Sequence, residues 1–121
     1  MKTAGTFDKD LMLIETSSAM TSTTTGDPVD FHGDDLYEVN YRAVVGGTIS
    51  GTTPKMVLKI QGSDDKSNWS DICVFPDITA AGEWNMQVRG KGQYRRAVAT
   101  LSGTSPSFGW VKVGVSTGGV R

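Results

Sequence analysis

The feature that most constrains the fold of this chain is a period of two in its apolar residues. Side chains alternate across a β-strand, so an apolar residue at every second position gives the strand one buried face and one solvated face. Four segments alternate in this way, and their apolar faces consist of Tyr37, Val39, Tyr41, Ala43 and Val45; Met56, Leu58 and Ile60; Trp84, Met86 and Val88; and Val111, Val113 and Val115. No segment shows the period of an amphipathic helix. The pattern therefore predicts an all-β protein.

Composition refines this prediction. The chain has 121 residues, enough for one domain with a core, and it contains 15 glycines but only 21% charged residues. Strands separated by turns of Gly, Pro, Ser and Asp are typical of antiparallel sheets. We expect an antiparallel β-sandwich or a jelly-roll-like barrel over residues 31–121, preceded in residues 1–30 by an extended N-terminal arm and a first strand.

The N-terminal part divides into an apolar run and a polar run. Leu11–Ile14 is too short for a helix and suits a buried strand or an anchor. Thr16–Pro28 is rich in Ser and Thr and has no apolar period, which predicts an extended arm or a mobile loop. A poorly patterned edge strand is the alternative.

An internal similarity links two later segments. Tyr41–Pro54 reads YRAVVGGTISGTTP, and Tyr94–Pro106 reads YRRAVATLSGTSP. Glycine accepts positive φ, and proline is tolerated at a turn or at the start of a strand. We interpret the two segments as related hairpins in equivalent places of the fold. Independent convergence on favourable turn residues is the alternative.

A cluster of polar residues, Asp64–Asn68, interrupts two strand-like runs and resembles a calcium-binding loop. It lacks the glycine and the terminal acid of an EF-hand, and Lys66 places a positive charge within it. Asp, Ser and Asn are also common turn residues, because they bond to their own backbone. We therefore predict a hairpin turn and no metal site.

Catalytic chemistry finds little support in the residues. The single histidine, His32, has acids nearby at Asp30, Asp34 and Asp35, but no nucleophile or oxyanion site is identifiable beside it. One histidine and one cysteine are too few for a zinc site. We expect no enzyme activity and no cofactor, and we expect the lone Cys73, within an apolar run, to be a buried thiol.

Charge and hydropathy exclude two classes of partner. The net charge is -1, which provides no general attraction for nucleic acid. No segment approaches the roughly 20 apolar residues of a membrane span, and no signal peptide is recognisable. The sequence predicts a soluble protein that is made in the cytoplasm and binds neither nucleic acid nor membranes.

Two groups of residues are candidates for surface recognition. The segment RGKGQYRR is expected to form a basic hairpin that carries four cations, namely Arg89, Lys91, Arg95 and Arg96. Such a hairpin could grip an acidic protein surface, a glycan or a phosphate backbone, although it could also be a solvated edge that resists aggregation. Trp69, Tyr94 and Trp110 could form a sugar platform or an interface, and core packing is the alternative.

The segments KIQGSDDKSNWSDI and ITAAGEWNMQVRGKGQYRRAVATLSGTSPSFGWVKVGV resemble a group of small virion proteins of tailed bacteriophages. The resemblance covers about residues 41–118 and rests on turn-and-strand signatures. The pattern is also similar to discoidin-like β-sandwich modules, which bind carbohydrates.

The phage resemblance implies a capsid decoration (cement) protein or a head accessory protein, located on the capsid surface after assembly in the host cytoplasm. Its partner would be the major capsid protein, and we expect a homo-oligomer, either a dimer or a trimer. The expected capsid contacts are Phe7, Leu11, Leu13 and Ile14 of the arm, together with the four cations of the basic hairpin. The alternative is a carbohydrate-binding or host-adhesion module on a virion head or tail fibre.

Overall fold

The structure is a computed structural model that describes residues 7–31, 38–89 and 92–116. In these ranges the chain forms one antiparallel sheet of seven strands and no helix, which confirms the predicted all-β class. The strands are β1 Phe7–Glu15, β2 Thr24–Thr25, β3 Val29–Asp30, β4 Glu38–Ser63, β5 Ser70–Val74, β6 Gly82–Arg89 and β7 Tyr94–Ser116. The described residues thus contain no helix that is long and apolar enough to cross a membrane.

The two long strands, β4 and β7, form a ladder on which all the other strands depend. Their pairing runs from Tyr41 opposite Val115 to Ser63 opposite Tyr94. Strands β5 and β6 pair with β4, whereas β1, β2 and β3 pair with β7. The ladder therefore joins strands that are far apart in the sequence.

The two halves of the ladder have different neighbours. In the first half of β4, the residues from Glu38 to Val45 pair with β6 on one side, and those from Tyr41 to Gly46 pair with the end of β7 on the other. In the second half of β4, the residues from Lys59 to Gly62 pair with β5 and with the start of β7. Each half of the ladder consequently lies inside its own group of strands.

The two similar sequence segments meet at the middle of this ladder. Thr52 lies opposite Thr104, and register shifts occur on both sides of this pair. Gly51 and Gly103 have φ angles of 115° and 104°. Each glycine approaches the backbone of the other strand so closely that a Cβ atom would lie within 2.6 Å of a carbonyl oxygen. The predicted pair of hairpins is therefore wrong, because the SGTTP and SGTSP stretches lie within two continuous strands and pair with each other. We call these two irregular stretches the bends.

Residues 7–31 lie along β7. Strand β1 pairs with the end of β7, Met20 forms an isolated bridge with Phe108, and β2 and β3 pair with its first residues. Leu13 and Ile14 are only 3% and 5% exposed, so they belong to the core. The expectation that these two side chains contact a capsid is corrected, because both are buried. The register shift between Met12 and Ile14 interrupts the alternation of the strand at this point.

The core confirms the faces predicted from the alternation for the described residues, which do not include Tyr37. Tyr41, Ala43 and Val45 are buried, as are Met56, Leu58 and Ile60 and also Val111 and Val113. Trp84, Met86 and Val88 are half-buried and pack against the same cluster. One apolar cluster thus includes side chains from both halves of the ladder.

A buried arginine connects the two ends of the ladder. Arg95, at the start of β7, is fully buried, and its Nη1 donates a 2.7 Å hydrogen bond to the hydroxyl of Tyr41 in the first half of β4. Its Nε donates to the carbonyl oxygen of Gly92, and its guanidinium lies 4.7 Å from the ring centroid of Phe31. Burial raises the pKa of the Tyr41 hydroxyl, and the charge of Arg95 offsets part of that rise. The neutral hydroxyl therefore serves as a stable acceptor for the buried cation.

The bends lead to the first testable prediction. Gly51→Ala and Gly103→Ala each place a Cβ against the backbone of Ser105 or Thr53 and force an unfavourable φ. We expect each substitution to lower the free energy of unfolding by about 1–3 kcal/mol. Chemical denaturation measures the loss. Gly82→Ala is the control, since Gly82 lies outside the bends, and losses no larger than in this control would contradict the assignment.

The buried arginine leads to the second prediction. Tyr41→Phe removes the acceptor of the 2.7 Å hydrogen bond from Arg95. A buried donor without its partner costs about 1–3 kcal/mol, so we expect the free energy of unfolding to fall by that amount. In Tyr94→Phe, where the ring is half-buried, the expected change is within about 0.5 kcal/mol. Equal effects of the two substitutions in thermal and chemical unfolding would refute the role of the bond.

Candidate binding surface

The polar loop between β4 and β5 is a turn built around one carboxylate. The Oδ1 atom of Asp65 accepts hydrogen bonds from the backbone N–H groups of Ser67 and Asn68, at 2.8 and 2.9 Å, and from the hydroxyl of Ser63. Its Oδ2 atom accepts from Nδ2 of Asn68. These bonds stabilise the anion and hold the pKa of Asp65 well below its ordinary range, with the Asn68 backbone N–H as the largest cause.

Two further polar side chains of the turn, those of Ser63 and Asp64, also accept hydrogen bonds. The Ser63 hydroxyl accepts from the backbone N–H of Lys66, which has a φ of 63°. The Asp64 carboxylate accepts from the backbone N–H of Gln93. Strands β4 and β5 pair on either side, so the predicted hairpin turn is confirmed. No group of three or more His, Cys, Asp or Glu residues in the described parts of the chain could hold a metal ion.

Two cations lie over aromatic rings beside this turn. The guanidinium of Arg96 lies 4.1 Å from the ring centroid of Trp69, and the ammonium of Lys66 lies 4.6 Å from that of Tyr94. Contacts of this kind contribute about 0.5–1 kcal/mol at exposed sites. They attach the turn and the start of β5 to β7, and they hold both aromatic rings in defined positions.

A row of polar side chains continues from Arg96 across three strands. Its Nε donates a 2.9 Å hydrogen bond to Oε1 of Gln61, and Nε2 of Gln61 donates a 3.0 Å bond to Oδ1 of Asp71. The ammonium of Lys59 lies 3.6 Å from Oδ2 of Asp71. The bond from Gln61, followed by the charge of Lys59, lowers the pKa of Asp71. We call the surface formed by Trp69, Arg96, Gln61, Asp71 and Lys59 the Trp69 face.

Strand register explains why these residues meet. Gln61 lies directly opposite Arg96 of β7 and opposite Asp71 of β5. Directly opposite residues in antiparallel strands point to the same side of the sheet. The row could not be found from sequence, because it depends on the pairing of β4 with β7, which are distant in the chain.

The structure separates the four cations of the predicted basic hairpin. Arg89 is exposed at the end of β6, and Arg96 belongs to the Trp69 face. Arg95 is buried, which corrects its assignment as a contact residue. It lies on the same face of β7 as the buried Ala97 and Ala99, whereas Arg96 points to the opposite face. Lys91 lies outside the described residues.

The segment that carries these cations is a connection rather than a hairpin. Arg89 pairs with Glu38 at the start of β4, whereas Tyr94 pairs with Ser63 at its end. The chain therefore passes from one half of the ladder to the other between these residues. The expectation of a hairpin here is wrong because β6 and β7 each pair with β4.

The aromatic candidates do not form one platform. Tyr94 and Trp69 flank the turn, whereas Trp110 lies opposite Gly46 in the other half of the ladder. The Trp110 ring covers Gly46, where a Cβ would overlap the ring, and the ammonium of Lys112 lies 5.5 Å from its centroid. Trp110 is thus used in packing across the strands.

The remaining candidate residues are those of β1 and the acids around His32, and they are not part of the Trp69 face. The side chains of Phe7 and Leu11 lie outside the description, although their backbones belong to β1. His32, Asp34 and Asp35 also fall outside the described residues. The carboxylate of Asp30 accepts a hydrogen bond from Nε2 of Gln93.

A cleft of about 380 Å³ opens between β1 and the segment that contains β2. Met12, Leu13, Ile14, Glu15, Thr16, Thr24, Thr25, Gly26, Asp27 and Val29 line it. Leu13 and Ile14 contribute buried side chains, and the two carboxylates of Glu15 and Asp27 are exposed. The cleft is separate from the Trp69 face, which has the more ordered set of polar groups.

The cysteine is buried, as predicted. Burial raises the pKa of the Cys73 thiol to about 11, from 9.0. The protonated thiol is a poor nucleophile at neutral pH, because the thiolate is the reactive form. Cys73 is therefore a core side chain in this fold.

Comparisons of the chain with protein-family models, with curated proteins and with solved structures gave no match.

The environment of Cys73 leads to the third prediction. At pH 8, the raised pKa lowers the thiolate fraction about a hundredfold relative to an ordinary thiol, and burial slows access further. We expect iodoacetamide to modify the native protein at least that much more slowly than the urea-unfolded protein, as followed by mass spectrometry. Because the folded-state pKa is raised, the contribution of this thiol to stability is lost as the pH rises from 9 towards 11. Equal alkylation rates in the two states would contradict this placement.

Proposed function

We propose that this chain is a non-enzymatic virion structural protein that decorates and stabilises a phage capsid. In this proposal the Trp69 face binds the outer surface of the shell. The observation that carries it is the polar row from Arg96 through Gln61 and Asp71 to Lys59. In this row, hydrogen bonds of 2.9 and 3.0 Å from and to Gln61 hold the charged groups of Arg96 and Asp71 in place before any partner binds. Side chains already held in place lose less conformational entropy on binding, which favours recognition of a protein surface.

The residues of the sequence resemblance coincide with this geometry. Gln61 belongs to the polar row, Asp65 organises the turn, and Trp69 stacks with Arg96. Tyr94 contacts Lys66 of the turn. The shared signature is therefore accounted for by the turn and the face beside it, and this supports a binding role located there.

The titratable groups support a role without chemistry. The Asp65 carboxylate is occupied by donors of its own turn, and the Cys73 thiol is buried and protonated. Arg95 is hydrogen-bonded inside the core. Each of these groups has a structural function, so none is available as a nucleophile, a base or a stabiliser of developing charge.

We further propose that the sheet folds over at its bends into a two-layer β-sandwich. Each half of the β4–β7 ladder has its own flanking strands, and a single apolar cluster includes side chains of both halves. The 2.7 Å hydrogen bond from Arg95 to Tyr41 joins two residues that lie at opposite ends of the ladder. A sandwich brings these ends together and presents the Trp69 face outward on one layer.

A carbohydrate-binding role is the competing outcome. Sugars stack on an open aromatic face. Arg96 covers one face of Trp69 at 4.1 Å, and Trp110 lies in the other half of the ladder. The arrangement therefore favours a protein partner over a glycan.

The fourth prediction tests the capsid role. Purified protein is mixed with phage heads assembled without it, and sedimentation and electron microscopy measure binding. We expect saturable occupancy of lattice positions and greater heat resistance of the heads. Arg96→Ala should weaken binding by about tenfold or more, as is common for a central interface arginine.

Lys112→Ala is the matched control, because Lys112 also lies over a tryptophan but outside the Trp69 face. It should bind as the unaltered protein does. Absence of saturable binding to the heads would overturn the capsid role. Selective binding on a glycan array that Arg96→Ala alters would assign the Trp69 face to sugar recognition instead.

A further inference from the structure

Strand β6 presents a long, regular edge. All eight of its residues, Gly82–Arg89, pair with β4 without a register shift, and no strand in the described ranges pairs with its other side. An edge strand of this kind presents unpaired backbone N–H and C=O groups at alternate residues. It is therefore a template for one more antiparallel strand.

Several of the features that prevent edge pairing are missing from β6. Its sequence, GEWNMQVR, contains no proline and no lysine. By contrast, β1 has two register shifts against β7, and β2 and β3 contain two residues each. Strand β5 has five residues and a register shift against β4. Among the strands that flank the ladder, β6 is the best suited to accept a partner.

Side chains of β6 leave apolar surface incompletely covered. Trp84, Met86 and Val88 face the core but are only half-buried. Glu83, Asn85, Gln87 and Arg89 alternate with them and are exposed. A further strand beside β6 would cover the first row and lie directly beside the second.

We propose that β6 pairs with β6 of a second copy of this chain to form a twofold dimer. A twofold axis perpendicular to the sheet keeps both copies facing the same way, and it passes through Met86 in the register that we infer. This register places the following residues opposite one another, one from each copy: Glu83 and Arg89, Trp84 and Val88, Asn85 and Gln87, and Met86 and Met86. In every pair, both residues are polar or both are apolar, and the two charged residues have opposite signs.

Charge selects this register over its neighbours. Moving the axis to Asn85 would place Glu83 opposite Gln87 of the second copy, and moving it to Gln87 would place Arg89 opposite Asn85. Neither alternative pairs the charges directly. In the proposed register, the Glu83 carboxylate, which lies 3.1 Å from Nη2 of Arg42 in its own chain, gains Arg89 of the second copy as well. Opposite charges directly across a strand pair are stabilising.

This dimer does not depend on the proposed capsid role. It would join the two copies through a continuous sheet and leave the Trp69 face free, since that face is formed by β4, β5 and β7. Two such faces on one particle would bind a repeating surface with avidity.

Charge reversal tests the dimer and its register. Sedimentation equilibrium from micromolar to millimolar concentration measures the dimer dissociation constant. Glu83→Arg and Arg89→Glu each create two like-charge pairs across the axis, so each should weaken the dimer about tenfold or more. The double variant restores opposite charges and should return the constant to near its original value. Circular dichroism confirms that every variant is folded.

Cross-linking provides a second, independent readout. In Met86→Cys the two new thiols lie directly opposite at the axis, within the Cα separation that a disulfide needs, so oxidation should give a covalent dimer. Asn85→Cys is the matched control, because its direct partner is Gln87, and it should cross-link far less. A monomer at all concentrations, a trimer, or a dimer that neither charge reversal affects would overturn the proposal.

Discussion

The pairing of β4 with β7 is the constraint on which the rest of this structure depends. Each of the other five strands pairs with one of these two, and the ladder runs from Tyr41 opposite Val115 to Ser63 opposite Tyr94. A ladder of that length must bend if its apolar faces are to meet in one core. Gly51 and Gly103 allow this, because each adopts positive φ and lies against the carbonyls of the opposite bend. The similarity between the two sequence segments thus corresponds to two similar bends, one in β4 and one in β7.

The core beside this ladder contains an ionised group, the guanidinium of Arg95. Burying a guanidinium is costly unless it is hydrogen-bonded. Arg95 donates hydrogen bonds to the Tyr41 hydroxyl and the Gly92 carbonyl, and its guanidinium lies over the ring of Phe31. These partners come from β4, from the residues that precede β7 and from the residue that follows β3. Satisfying one buried cation therefore requires that three separate segments reach their final positions together.

The same register that builds the core builds the surface. Inward residues such as Ile60 and Ala97 are buried, and the neighbouring outward pair, Gln61 and Arg96, begins the polar row of the Trp69 face. The turn organised by Asp65 keeps Trp69 within reach of Arg96. The packed core and the polar row are consequently two sides of one set of strand pairings, which links the shape of the Trp69 face to the stability of the fold.

Local patterns in the sequence determined the all-β class, the buried face of each alternating strand and the β4–β5 hairpin, because a period of two and turn chemistry act over a few residues. Only the tertiary structure decided which strands pair. It turned two expected hairpins into paired bends, since glycine with positive φ serves a turn and a bend equally well. It also moved Leu13, Ile14 and Arg95 from an expected surface into the core. The Trp69 face joins residues of β4, β5 and β7, and such contacts between distant segments form only when β4 has paired with both of its neighbours.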